Sequence, residues 1–340
     1  MKYNTLGRTG VLVSELCLGA MTFGGRGYWK AIGEQPQDVV NAIVKTSFDA
    51  GINFIDTANA YSEGLSEIML GKALREVGIH RQEIFIATKL RIRMGKGANQ
   101  VGLSRLHIMD AVDDSLARLN LSHVDLLYIH GVDSMTPLSE TMRGLEDVVR
   151  MGKVRYLGIS NHPAWMVMKA NAIADKMGWT AFSALQNYYS IAGRDIEREI
   201  VPMAQSEGMA LMPWSPLAGG FLSGKFTRDT KTAGDSRRDN FDFPPIDKEK
   251  AYDIIDEMIE IGKAHRVSAA QVALAWMLSK KYVTSIIIGA KKLEQLKDNI
   301  AAIELTLSDA ELSRLDDISA LALEYPGWMV ERQLQDRVIS

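Results

Sequence analysis

The 340-residue chain has one cysteine, Cys17, six histidines and no long apolar run. A single thiol excludes an intrachain disulfide and suits a reducing compartment. The N-terminus carries one early lysine but no sustained apolar stretch, so no signal peptide is expected. Nothing approaches the ~20 consecutive apolar residues of a membrane-spanning helix, and a cytoplasmic protein is expected. The net charge of −3, from 39 basic and 42 acidic residues, gives no sign of a nucleic-acid or membrane partner. The histidines are scattered, with neither an H-E-x-x-H motif nor a Cys-His cluster, so no metal site is expected. Internal repeats and low-complexity linkers are also absent, which favours one domain over residues 1–340.

What is present is an ordinary globular composition, 46% hydrophobic and 24% charged. Strand-like runs near 16–20, 53–56, 84–88, 124–130, 154–159, 182–186, 209–214 and 284–288 alternate with helical stretches. The helices read near 37–50, 65–76, 104–119, 138–151, 163–177, 195–206, 249–264, 268–280, 292–299 and 308–319. Alternation of this kind implies parallel βαβ units, and eight of them suggest closure into an α/β (β/α)8 TIM barrel. An open doubly wound sheet is the alternative, but no G-x-G-x-x-G follows the first strand. Gly51 after the first helix reads as a C-terminal cap, Ser308 with Glu311 as a capping box, and Ser268 as a further cap. The segment 215–247, rich in Gly and Pro, is long for a connector and reads as a functional loop.

Three of these strands end on chemistry. The runs Phe54-Ile55-Asp56, Ile84-Phe85-Ile86-Ala87-Thr88-Lys89 and Leu126-Leu127-Tyr128-Ile129-His130 each start apolar and stop on an ionisable side chain, and Tyr61 lies five residues past Asp56. In parallel α/β proteins the C-terminal strand edge is where reactions occur. A tyrosine can protonate a carbonyl oxygen, but with an ordinary pKa of ~10 it is a poor acid unless a cation stabilises its phenolate. Lys89 could be that cation, Asp56 could orient it, and His130 could donate to the same oxygen. A hydride must come from a cofactor. Taken singly, each has an ordinary explanation: a turn cap, a solvated lysine, a packed tyrosine, a satisfied core histidine.

Gly219-Gly220-Phe221-Leu222-Ser223-Gly224-Lys225-Phe226 nearly matches the phosphate-binding G-x-x-x-x-G-K-[ST]. Phe226 stands where the Mg²⁺-binding hydroxyl belongs, so nucleotide hydrolysis is not expected. The methionines read as core filling.

The Asp56, Tyr61, Lys89, His130 set resembles the catalytic tetrad of the aldo-keto reductase family, specifically a bacterial branch similar to potassium-channel beta subunits. Gly158-Ile159-Ser160-Asn161, Gln186-Asn187-Tyr188-Tyr189-Ser190, Trp214 to Gly220 and Gly289 to Gln295 follow in the family's order. The resemblance implies an NADP cofactor lying across the barrel's C-terminal face. Gly19 and Met21 would border it, and Ser160, Asn161 and Gln186 would hold the carboxamide. Trp214 would stack on the nicotinamide, where many members have Tyr. Ser215, Pro216, Leu217, Gly219 and Lys225 would line the pyrophosphate. Gly289, Lys291, Gln295 and Asn299 would surround the adenosine, with Arg237 reaching from the long loop. It also implies an N-terminal hairpin over residues 1–13 and a C-terminal tail at 321–340. The expected reaction is reduction of a small-molecule aldehyde or ketone to an alcohol, with NADPH preferred to NADH because Lys291, Lys292 and Arg237 suit a 2′-phosphate. Substrate contacts are expected in Met21 to Trp29, including Tyr28 and Trp29, at Trp165 and around Tyr325 and Trp328. The other readings are a weakly catalytic, regulatory NADP-binding barrel and a metal-dependent barrel lyase or isomerase, for which no ligand set is apparent. Oligomeric state is open.

Overall fold

A computed structural model describes residues 1–230, 238 and 241–336. An antiparallel hairpin, β1 (Tyr3–Thr5) and β2 (Leu12–Ser14), precedes the main sheet. The sheet holds β3 (Leu16–Gly19), β4 (Phe54–Asp56), β5 (Phe85–Leu90), β6 (Val124–Ile129), β7 (Val154–Ser160), β8 (Phe182–Tyr188), β9 (Ala210–Trp214) and β10 (Ile286–Ile288). All neighbours pair in parallel, and β10 lies beside β3 at the start of the order. The end strands meet through Thr284. Its N–H donates to the Leu211 carbonyl at 2.9 Å, and the Leu211 N–H donates to Thr284 Oγ1 at 3.1 Å. The result is the (β/α)8 barrel, nearly closed.

Around it run α1 (Gln37–Asp49), α2 (Leu65–Val77), α3 (Arg105–Leu119), α4 (Leu138–Arg150), α5 (Ala164–Met177), α6 (Ile200–Glu207), α7 (Lys248–His265), α8 (Ala269–Leu278), α9 (Leu293–Ala301), α10 (Asp309–Ile318) and α11 (Gly327–Gln335). Ser268 and Ser308 accept the backbone N–H groups of Gln271 and Glu311, as their sequence contexts predict. Two elements differ from expectation. The helix expected over 195–206 is a 3-10 turn at Asp195–Glu197 followed by α6, because Pro202 cannot sit in a helix interior and must fall in a first turn. The C-terminal tail contains α11.

Side-chain alternation along the strands separates two cores. Cys17, Phe54, Phe85, Ala87, Leu126, Tyr128, Ala184, Ala210, Met212 and Ile287 fill the barrel interior, joined by Leu6 and Val13 of the hairpin segment. Their neighbours Leu18, Ile55, Ile86, Leu127, Ile129, Leu157, Leu185 and Leu211 face the helices. Each such fully buried aliphatic side chain contributes about 1.5–3 kcal/mol. The interior has room for Tyr128 only because its partner in the ladder is Gly158, where a Cβ would stand 2.4 Å from the Tyr128 ring.

Candidate active site

The same alternation selects what reaches the barrel mouth. Phe54, Phe85 and Leu126 point inward, so Asp56, Lys89 and His130, at even spacings beyond them, share that inner face at the C-terminal rim. Lys89 is fully buried. Its ammonium donates to Asp56 Oδ1, to the Thr57 carbonyl at 2.9 Å and to Tyr61 Oη at 3.2 Å. Gln186 Nε2 donates to the other Asp56 oxygen at 2.9 Å. Tyr61 begins a turn in which Ser62, Glu63 and Gly64 all take positive φ, at 50°, 57° and 88°. Left-handed backbone is unfavourable for the first two, a strain that recurs at functional sites. Ser62 Oγ anchors this turn by donating to the Phe23 carbonyl at 3.0 Å and accepting the Gly25 N–H at 3.0 Å.

The electrostatics follow from burial. Desolvation works against the Lys89 charge, but Asp56 and Tyr61 outweigh it and hold the ammonium above its ordinary range. Desolvation raises the Asp56 carboxyl, opposed by the Lys89 charge and by hydrogen bonds from Lys89 and Gln186. Burial, with the Lys89 and Arg91 charges, pushes His130 well below its ordinary value, so the imidazole is neutral near pH 7. Its ring centroid lies 5.9 Å from that of Tyr61, and its Nδ1 is buried without a protein partner.

The expected cofactor residues fall on the same rim. Ser160 and Gln186 pair in the β7–β8 ladder. Asn161 Nδ2 donates to Ser160 Oγ at 2.9 Å and to the His130 carbonyl at 3.2 Å, while its Oδ1 accepts Trp214 Nε1 at 3.0 Å. Gly19 lies opposite Asp56, with Met21 just beyond. After β9 the chain turns sharply, and Ser215, Ala218, Gly219 and Gly220 all take positive φ. There the Gly219 N–H donates to Ser215 Oγ at 2.9 Å, and the Ala218 and Gly220 N–H groups donate to the Ser215 and Leu217 carbonyls at 2.8 Å. These amides are engaged within the turn that follows Pro216, while Lys225 is exposed at its far end. Gln295 Oε1 accepts the Lys291 and Lys292 N–H groups at 3.0 and 3.2 Å, and Asn299 donates to the Gly289 carbonyl at 3.4 Å. Arg237 lies outside the described residues.

Of the expected substrate residues, Trp29 sits edge-on to Tyr61 with centroids 5.1 Å apart, and Tyr28 packs on Trp29 at 5.7 Å. Trp165 is largely exposed at the start of α5, and Tyr325 and Trp328 pack on each other at 6.1 Å. None of these three makes a ring contact or hydrogen bond with the tetrad among the described residues. Two aromatics escaped the sequence reading. Phe243 stacks on Trp214 at 5.7 Å with planes 12° apart, and Phe241 bridges Phe243 and Tyr28. Their signal in the sequence is an aromatic pair beside Pro244 and Pro245.

Among the described residues no group of His, Cys, Asp and Glu is placed to hold a metal, and no helix is long and apolar enough to cross a membrane. The model of the aldo/keto reductase family matches residues 15–320. The uncharacterized oxidoreductase YrpG of Bacillus subtilis is 37% identical over 329 residues, covering 94% of this chain and 96% of that protein. The versiconal hemiacetal acetate reductase of Aspergillus parasiticus is 33% identical over 345 residues, with 96% and 99% covered. The norsolorinic acid reductase of Aspergillus flavus is 36% identical over 328 residues, with 93% and 80% covered. Matched along nearly its whole length by reductases and by the family model, the chain belongs to the aldo/keto reductase family of oxidoreductases.

Proposed function

We propose that the chain is a single-domain, NADPH-dependent reductase that converts a small aldehyde or ketone to an alcohol, with Tyr61 as general acid. The observation that carries this reading is the buried Asp56–Lys89–Tyr61 chain facing a neutral His130 at the barrel mouth. The residues present fit a nicotinamide dinucleotide: an aromatic face at Trp214, hydroxyl and amide groups at Ser160, Asn161 and Gln186, and lysines at 225, 291 and 292 on flanking loops. When bound, the nicotinamide supplies the hydride that reduces the carbonyl carbon.

Tyr61 gives its proton to the carbonyl oxygen. Lys89 stabilises the phenolate left behind, and Asp56 keeps Lys89 charged and aimed. His130, as a neutral imidazole, donates a hydrogen bond to the same oxygen and orients the substrate. Trp29, edge-on to Tyr61, would flank the substrate there.

The preference for NADPH rests on Lys291 with Lys292, near the start of α9, where cations oppose the helix dipole and a bound phosphate would neutralise them. Charge-assisted hydrogen bonds of this kind are worth roughly 10- to 100-fold each in affinity. Two measurements test the proposal: consumption of NADPH with a panel of aldehydes and ketones, and dissociation constants for NADPH and NADH by fluorescence quenching in wild type and Lys291→Ala. Wild type should turn over and bind NADPH about 10²-fold more tightly, and Lys291→Ala should weaken NADPH alone. Equal affinities would show that the 2′-phosphate is not read. Membership of the branch resembling channel beta subunits belongs to the same proposal, and absence of turnover across the panel would favour the regulatory reading.

A further inference from the structure

The proposed chemistry leaves a fully buried carboxylate unused. Glu67, in the first turn of α2, is fully buried. Its Oε1 accepts the Thr88 hydroxyl at 2.5 Å, and its Oε2 accepts Arg118 Nε at 2.7 Å. A carboxylate without solvent is costly unless paired, and Arg118, a hydroxyl and the N-terminal end of a helix meet this one.

What the three residues join is more telling than the pairing itself. Thr88 is the outward-facing neighbour of Lys89 on β5. Arg118, in the last turn of α3, lies so close to Gly64 that a Cβ there would stand 2.7 Å from its Cδ. Gly64 is the last of the three left-handed residues after Tyr61. Ser66, beside Glu67, donates to the Ala20 carbonyl at 2.7 Å and pairs with Thr57 Oγ1 at 2.9 Å. The Thr57 carbonyl in turn accepts from Lys89. The first turn of α2 is thus tied to the ends of β3, β4 and β5 at once.

We propose that Glu67 is a positioning residue that clamps the turn carrying Tyr61 to the strand carrying Lys89, through Arg118 on one side and Thr88 on the other. The clamp sets the 3.2 Å separation of Tyr61 Oη and Lys89 Nζ. The inference rests on the reading of Tyr61 as proton donor.

The test is Thr88→Val, which removes one hydroxyl at nearly constant volume, against Thr88→Ser, which keeps it. Steady-state kinetics are combined with ultraviolet difference titration of the phenol, taken between each variant and its Tyr61→Phe counterpart. In Thr88→Val, kcat should fall roughly 10-fold or more with little change in KM, the scale on which small misplacements of reacting groups act. The Tyr61 ionisation should move to higher pH, and Thr88→Ser should restore both. If Thr88→Val does not fold, Arg118→Lys, which keeps the charge but loses the Nε contact, is read the same way. A variant that loses thermal stability while keeping kcat and the ionisation midpoint would make the cluster merely structural and overturn the proposal. Wild type without turnover defeats the reductase reading instead, and the titration still decides the clamp.

Discussion

Lys89 has three N–H bonds, and each meets an acceptor: a carboxylate, a carbonyl and a phenol. That saturation makes Asp56, Lys89 and Tyr61 a unit. Tyr61→Phe removes one oxygen and little volume, so cofactor binding should persist while kcat falls by about 10²–10⁴, the usual worth of acid catalysis. A variant with near wild-type kcat would remove Tyr61 from the proposed role. Lys89→Met and Asp56→Asn should each be severe, yet the double variant should be scarcely worse than either alone, because coupled residues are non-additive. Lys89→Met should also move the pKa of the acidic group in the pH–rate profile upward, so that the alkaline fall in rate comes at higher pH, since a nearby cation is lost. Additive losses with an unmoved profile would make Lys89 structural. Asp56, Lys89 and His130 were legible because parity along a strand is a property of the sequence. Glu67 was not: an acidic residue near a helix start reads as solvated, and only packing against Thr88 and Arg118 shows otherwise.

At the level of elements, a tight constraint lies where β6 meets β7. Gly158→Ala would drive a methyl group into the Tyr128 ring from a ladder position that cannot retreat. Overpacking of this sort costs about 1–3 kcal/mol. The denaturation midpoint should drop with an unchanged slope, whereas no drop would mean that Tyr128 can move. All eight barrel strands could be read from short apolar runs bounded by turns, because strands buried on both faces are apolar nearly throughout. The start of α6 could not be read from periodicity, since Pro202 decides it. Nor was α11 read, a short helix after Pro326 whose apolar residues Trp328, Val330 and Leu334 stay exposed.

Across the whole molecule, four histidines share one bias. Burial lowers His107, His123, His130 and His162 below the ordinary imidazole value, aided at His130 by Lys89 and Arg91. Each therefore binds its proton less readily folded than unfolded. Their contribution to stability is fully present above about pH 6.5 and is lost as pH falls below it, by up to about 1.4 kcal/mol per pH unit for each site that has fully diverged. Asp56 is shifted upward and acts in the opposite sense, toward the carboxylate range. Urea midpoints should thus decline as pH falls from about 7.5 to about 5.5, across the imidazole range. A flat profile would mean that these imidazoles are not sequestered. The Thr284 seam has a different consequence, one of timing. Ile286 pairs with Leu16 across nearly the whole chain, so β3, among the first strands to leave a ribosome, waits for β10, the last described strand, before its outer edge is paired. Until then the nascent sheet has two open edges, at β3 and β9, and each is a template for a foreign strand. Truncation just before residue 284 should therefore yield an aggregating chain rather than a shorter barrel, although the whole proposed tetrad lies upstream of the cut.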